Sequence, residues 1–132
     1  MEKISKKKRI LLAEDDPFIA DIYITYLKKT DFDVIHVKDG EECLSKLNEE
    51  NFDLILLDIL LPKIDGFEIL KKIKNNPKFK NIPIIALTNL IEKTIPDKAI
   101  ALGAKECLVK SSYQPKDVVE KIKLILGINT KE

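Results

Sequence analysis

Five polar side chains each close an otherwise apolar run in this chain. Glu14 and Asp15 follow Arg9-Ile10-Leu11-Leu12-Ala13, and Asp58 ends Asp53-Leu54-Ile55-Leu56-Leu57. Thr88 ends Ile82-Pro83-Ile84-Ile85-Ala86-Leu87, and Lys110 ends Glu106-Cys107-Leu108-Val109. One such aspartate has an ordinary explanation as a strand end or helix cap. The set has a chemical one. In a parallel sheet all C-terminal strand ends lie on one edge, where ligands bind in open α/β folds. Glu14, Asp15 and Asp58 would then converge, and like charges that close raise one another's pKa unless a cation neutralises them. The fitting cation is hard and oxygen-seeking: Mg²⁺, which takes few carboxylates and shares phosphate oxygens. A carboxylate beside it can attack phosphorus to give an aspartyl phosphate. Lys110 could then neutralise one phosphoryl oxygen while the Thr88 hydroxyl donates to another.

Placing those side chains on one edge needs alternating strands and helices, and the pattern provides them. Asp53–Asp58, bounded by Asn51 and Pro62, reads as a strand buried on both faces. Pro17 suits the first turn of a helix with Asp16 as N-cap, carrying Ile19, Ile22, Tyr23, Tyr26 and Leu27 at helical spacing and closing on Lys28-Lys29. Asp33-Val34-Ile35-His36-Val37 is the second strand, and His36 within it has no nearby ligand-type partner. Asp39-Gly40-Glu41-Glu42 opens a second helix as a carboxylate capping box, with Cys43, Leu44 and Leu47 as its apolar stripe. Asp65-Gly66-Phe67-Glu68 repeats the pattern, Phe67, Leu70 and Ile73 face inward, and Asn75-Asn76-Pro77 stops that helix. The fourth apolar run begins with a proline, tolerable at a strand start. Pro96 confines the next helix to a short piece from Thr94 or Ile95 to Gly103. Pro115 starts the last one, with Val118, Val119, Ile122, Ile125 and Leu126 inward and Gly127 as its stop. Short connections between alternating elements imply right-handed βαβ units and a parallel sheet covered on both faces.

The bulk properties agree with one such domain. At 132 residues the chain can bury a real core, and 45% apolar with 34% charged residues is a globular balance. A net charge of +1 gives no argument for nucleic acid or an anionic membrane as a direct partner. The basic start Lys6-Lys7-Lys8-Arg9 reads as a solvated lead-in, and the apolar run after it is too short for a signal peptide. No stretch approaches the length needed to span a bilayer. Cys43 and Cys107, in no metal-like spacing, read as two reduced, buried thiols of a cytoplasmic protein.

These residues as a spaced set resemble the receiver domain of bacterial two-component response regulators. The matching motifs are Ile10-Leu11-Leu12-Ala13-Glu14-Asp15-Asp16-Pro17, Asp58 with Leu61-Pro62 and Asp65-Gly66, Leu87-Thr88, and Val109-Lys110. The resemblance implies the flavodoxin-like doubly wound fold, five parallel strands in the order 2-1-3-4-5 with five helices. It implies Asp58 as phosphoacceptor, Glu14 and Asp15 as the acidic pair holding Mg²⁺ with Asp15 favoured as direct ligand, and the Leu60 backbone carbonyl as a further ligand. Thr88 matches the switch hydroxyl and Lys110 the phosphate-pairing lysine, while Asp16 is a cap. The expected organisation is a basic lead-in over 1–6, a receiver over 7–127 and a tail over 128–132.

The expected role is a stand-alone, chemotaxis-regulator-like switch. A histidine kinase or phosphotransfer protein donates phosphate, and output is a protein–protein contact in trans from the face of the last two strands and helices. Such a protein catalyses only its own phosphorylation and dephosphorylation, and is a monomer or a weak phosphorylation-dependent dimer. Three positions depart from the family pattern: Asn89 where a small residue usually follows the Thr, Cys107 where an aromatic usually precedes the Lys, and Ser111 where Pro usually follows it. They favour a second reading, a degenerate receiver that binds partners without taking phosphate. Leu60 and Leu90 stand where many receivers place polar residues that guide water, so these leucines are expected to lengthen the phosphorylated lifetime. A Mg²⁺-dependent phosphatase would need a second Asp where Leu60 stands, and a nucleotide-binding module would need a Gly-rich loop where Glu14-Asp15-Asp16 stands.

Overall fold

A computed structural model describes residues 7–128; the expected lead-in over 1–6 and the tail beyond Ile128 lie outside the described residues. The apolar runs form β1 (Arg9–Ala13), β2 (Asp33–Val37), β3 (Leu54–Asp58), β4 (Ile84–Thr88) and β5 (Glu106–Val109). They alternate with α1 (Pro17–Lys29), α2 (Gly40–Glu49), α3 (Gly66–Lys74), α4 (Thr94–Ala101) and α5 (Pro115–Leu126). Every strand pairing is parallel and the order is β2-β1-β3-β4-β5, the flavodoxin-like arrangement. No helix among the described residues is long and apolar enough to cross a membrane.

Period-two alternation sends successive side chains of the central strands into two different cores. Leu11, Ile55, Leu57, Ile84 and Ala86 pack with Cys43, Leu47, Ile69, Leu70, Ile73 and Ala99 of α2, α3 and α4. Ile10, Leu12, Leu54, Leu56, Ile85 and Leu87 pack with Ala20, Tyr23, Leu27, Val118 and Ile122 of α1 and α5. Full burial of one such side chain is worth about 1.5–3 kcal/mol, which is why β1, β3 and β4 read as unbroken apolar runs. The side chain that closes β3 is carried inside with them.

Several local expectations are corrected. The inward stripe of α1 is Ala20, Tyr23 and Leu27, whereas Ile22 and Tyr26 are exposed at 47% and 37%. A 13-residue helix resting on one sheet face buries a narrow stripe, and residues one position to its side turn outward. Cys107 is half-buried because β5 is an edge strand, so only Cys43 is the fully buried thiol. β4 begins at Ile84; Pro83, which cannot donate, only accepts from the Ile55 N–H at 3.0 Å. Asp39 caps α2 at the Glu42 N–H (2.9 Å), but Glu42 reaches back to the Lys38 N–H (2.8 Å), one residue beyond the N-cap, so the box is not closed. An unforeseen cap stands at α5, where the Asp117 side chain accepts from the Gln114 N–H at 2.9 Å. Lys110–Ser112 forms a 3₁₀ turn immediately after β5.

Candidate functional site

The registers assemble the edge. Ala13 pairs with Leu57, Asp58 with Leu87 and Thr88 with Val109, so Glu14, Asp58, Thr88 and Lys110 emerge from four neighbouring strands. Glu14 and Asp58 are buried at 1% and 5% exposure and Thr88 is completely buried, while Asp15 is exposed. One carboxylate oxygen from each of Glu14, Asp15 and Asp58 lies within 4.8 Å of the others. Lys110 enters this cluster from the opposite side. Its Nζ donates to Glu14 Oε1 at 2.7 Å and to Asp58 Oδ2 at 3.1 Å.

The remaining lone pairs are held by backbone. Asp16 N–H donates to Glu14 Oε2 at 3.1 Å, and Leu60 N–H donates to Asp58 Oδ1 at 3.0 Å. Thr88 Oγ1 accepts from the Leu90 N–H at 3.0 Å, which leaves the hydroxyl proton free to be donated outward. The loop that follows Asp58 is drawn back by Gly66, whose N–H donates to the Ile59 carbonyl at 2.8 Å.

Electrostatically the site is short of positive charge. Burial pushes the Asp58 carboxyl up to about 6; Lys110 pulls it back and Glu14 adds to the rise. Burial acts to lower Lys110, but its hydrogen bond to Glu14 and the attraction of Asp58 and Glu14 prevail, leaving it raised. That both partners of the Lys110–Asp58 pair rise follows from geometry: the ammonium sits closer to Glu14, so Asp58 is only partly compensated. One ammonium facing three carboxylates is a donor set that a hard divalent cation fits.

Glu14, Asp15, Asp58, Thr88 and Lys110 are therefore brought to one edge, and Leu60 meets Asp58 there through its N–H. Two further side chains, His36 and Tyr23, border the cluster. His36 Nε2 lies 2.7 Å from the Glu14 carbonyl oxygen, a partner visible only once β2 is laid against β1. Buried Tyr23 sits near enough that its phenol, pushed up by burial, also feels Lys110, Glu14 and Asp58.

A family model described as the response regulator receiver domain matches residues 10–123. The transcriptional regulatory protein CpxR homolog of Haemophilus influenzae is 36% identical over 118 residues, 89% of this chain and 50% of that protein. The alkaline phosphatase synthesis transcriptional regulatory protein PhoP of Bacillus subtilis is 35% identical over 119 residues, 90% of this chain and 48% of that protein. The chain thus spans about half the length of the curated relatives it matches. A CheY-like response regulator receiver domain protein from Methanospirillum hungatei superposes with a TM-score of 0.83 at 30% identity, covering 92% of this chain and 95% of the other. Because the curated relatives are transcriptional regulators, the expectation that nucleic acid is not a direct partner finds no support in them.

Proposed function

This chain belongs to the response regulator receiver domain family, and from that membership we propose that it is a signalling switch that takes phosphate on Asp58. The observation that carries this is the buried, under-neutralised carboxylate of Asp58, with Lys110 at 3.1 Å and the exposed Asp15 beside it. Glu14, Asp15, Asp58 and the Leu60 carbonyl would hold Mg²⁺, which supplies charge neutralisation for phosphoryl transfer. Receivers work with histidine kinases or phosphotransfer proteins, and the donor proposed here is a phosphohistidine on such a protein. An Asp58 oxygen attacks phosphorus, the P–N bond breaks, and the imidazole leaves carrying the bonding pair and collects a proton. Lys110, already bridging Glu14 and Asp58, is placed to shift its ammonium from the Asp58 oxygen to the new phosphoryl oxygen. Thr88, whose oxygen is occupied by the Leu90 N–H, has its proton available for a second phosphoryl oxygen.

Phosphorylation then biases a two-state equilibrium on the face of β4, α4, β5 and α5, read by a partner protein. The receiver unit is taken as 7–127, the compartment as the cytoplasm, and the only catalysis as the chain's own phosphorylation and dephosphorylation. Asn89, Cys107 and Ser111 favour one second reading, a receiver that binds partners without taking phosphate. Intact mass after incubation with Mg²⁺ and acetyl phosphate separates the two. Wild type should gain a single adduct of about 80 Da, as an aspartyl phosphate requires, and Asp58→Asn should gain none. A folded wild type that binds Mg²⁺ yet gains no adduct would establish the phosphate-independent reading.

A further inference from the structure

The segment joining Asp58 to α3 is pinned to the rest of the molecule at two points, each a glycine. At its end, a Cβ on Gly66 would stand 2.5 Å from Ile59 Cα, 2.8 Å from Ile59 O and 3.0 Å from Asp58 O. At its apex the pin comes from a different element. Gly40, the first residue of α2, donates its N–H to the Pro62 carbonyl at 3.1 Å. A Cβ on Gly40 would stand 2.5 Å from Ile64 O and 2.6 Å from Ile64 Cβ. The Pro62 carbonyl also accepts from the Ile64 N–H at 2.8 Å, closing a tight turn in which Lys63 takes φ +70°, a region L side chains rarely adopt. Lys63 Nζ lies 3.6 Å from both Asp39 and Glu41, the residues on either side of Gly40.

Leu60 stands between these two pins, its N–H on Asp58 Oδ1. We infer that Gly40 is a positioning residue for the metal site, setting through Pro62 and Ile64 where the Leu60 backbone and the Asp58 carboxylate lie. The inference rests on the reading that these groups hold Mg²⁺. The obstacle to a Cβ on Gly40 is a backbone oxygen, which no rotamer change removes. Either α2 or the loop must shift. α2 is anchored in the core by Cys43 and Leu47, whereas in the loop Leu60, Pro62 and Lys63 are exposed and only Leu61, with Ile64 in part, reaches the core; Gly66 fixes the far end. The displacement therefore falls on Leu60–Ile64. Groups that orient metal ligands without touching the ion typically account for roughly 10- to 100-fold in affinity.

The test is Mg²⁺ affinity by calorimetry, with urea unfolding, for wild type, Asp15→Asn, Gly40→Ala and Gly103→Ala. Gly103 is the structural control. It lies at the opposite sheet edge with φ +116°, and a Cβ there would meet the Lys74 side chain. Gly40→Ala is expected to bind Mg²⁺ roughly tenfold more weakly, while Gly103→Ala loses stability but keeps wild-type affinity. A folded Gly40→Ala with wild-type affinity overturns the inference while leaving the metal site standing. Absence of Mg²⁺ binding by wild type removes the underlying reading as well. Should Gly40→Ala not fold, the amide resonance of Gly40 in wild type decides. Movement with Mg²⁺ saturation while Gly103 stays fixed supports the coupling, and a static Gly40 overturns it.

Discussion

Strand β1 carries a charge cluster at each end, and the two are built from similar parts to opposite effect. At its start, Arg9 donates Nε to Asp33 at 3.0 Å, Nη2 to Glu50 at 2.6 Å and Nη1 to the Asn51 carbonyl at 3.0 Å. Its guanidinium also lies 5.1 Å from the Phe52 ring centre, and its own N–H donates to Asp53. At the other end, Lys110 offers one compact ammonium to Glu14 and Asp58. The guanidinium's planar fork serves several acceptors at once, and its side chain remains 29% exposed. The Arg9 hydrogen bond, joined by that of Lys46, holds the Glu50 carboxyl below its ordinary range. The ammonium is 9% exposed, and Asp58 beside it is pushed up instead. The basal cluster is finished, a clamp fastening β1, β2 and the α2–β3 connection. The apical cluster retains an unmet demand for positive charge, which marks it as a place where something binds.

Removing each cation is the harshest way to break this comparison. Lys110→Met at pH 8 leaves Glu14 and Asp58 buried with backbone N–H donors but no cation, and a loss of roughly 3 kcal/mol is expected from stranding buried charge. Arg9→Met leaves acceptors that water reaches, and a loss of roughly 2 kcal/mol is expected from its several charged hydrogen bonds. Urea midpoints measure both. Saturating Mg²⁺ should raise Arg9→Met only as much as it raises wild type, because ligand binding adds stability to any native state with the site intact, and should raise Lys110→Met by more, since there it also replaces the missing cation. Equal response of the two variants to Mg²⁺ would erase the distinction between clamp and binding site.

The next effect is smaller and has a pH signature. The Asp58 carboxyl sits at about 6 in the folded chain against an ordinary 3.8, so the folded state holds its proton more tightly than the unfolded one does. Below the lower value both states are protonated and Asp58 costs nothing. As pH rises between the two values the folded state is penalised progressively, and above about 6 the penalty is complete. Asp58→Asn should therefore stabilise the metal-free protein by on the order of 1 kcal/mol at pH 8. The gain should shrink toward zero at pH 4. An equal gain at both pH values would show that packing rather than charge is responsible. Asp33→Asn in the basal cluster should show no such gain at pH 8, because its carboxylate is satisfied there by Arg9.

The apical cluster was legible in the sequence because its members interrupt apolar runs, a signal that needs no knowledge of distance. Asp58 and Thr88 each end a dry strand and Lys110 follows a half-buried edge strand, and parallel topology alone brings strand ends together. The basal clamp was not legible. Arg9, Asp33, Glu50 and Asn51 look like ordinary surface residues, and only the register Arg9–Asp33 and the return of the chain before β3 make them one network. The same limit hid His36 beside Glu14 and Gly40 beneath Ile64, contacts between elements adjacent in space but not in sequence. It also explains the α1 stripe: helical spacing fits Ile22 and Tyr26 as well as Leu27, and only the sheet beneath decides which are covered.

The finest distinction between the clusters concerns water. The basal carboxylates share solvent with Arg9, whereas Asp58 and Thr88 are flanked by Leu60, which is 52% exposed, and the half-buried Leu90. Each is fixed by its own backbone to the group it flanks, Leu60 N–H to Asp58 Oδ1 and Leu90 N–H to Thr88 Oγ1. A polar side chain at these positions could hold a water for attack on a phosphoryl group at Asp58, and leucine cannot. Replacement of two partly exposed leucines leaves the fold within about 0.5 kcal/mol per site, so a kinetic change can be read cleanly. Leu60→Asn with Leu90→Glu should speed loss of the mass adduct severalfold while leaving the urea midpoint nearly unmoved. An unchanged decay rate in a folded double variant would mean that water reaches the phosphoryl group by another path, and that the leucines are passive rim.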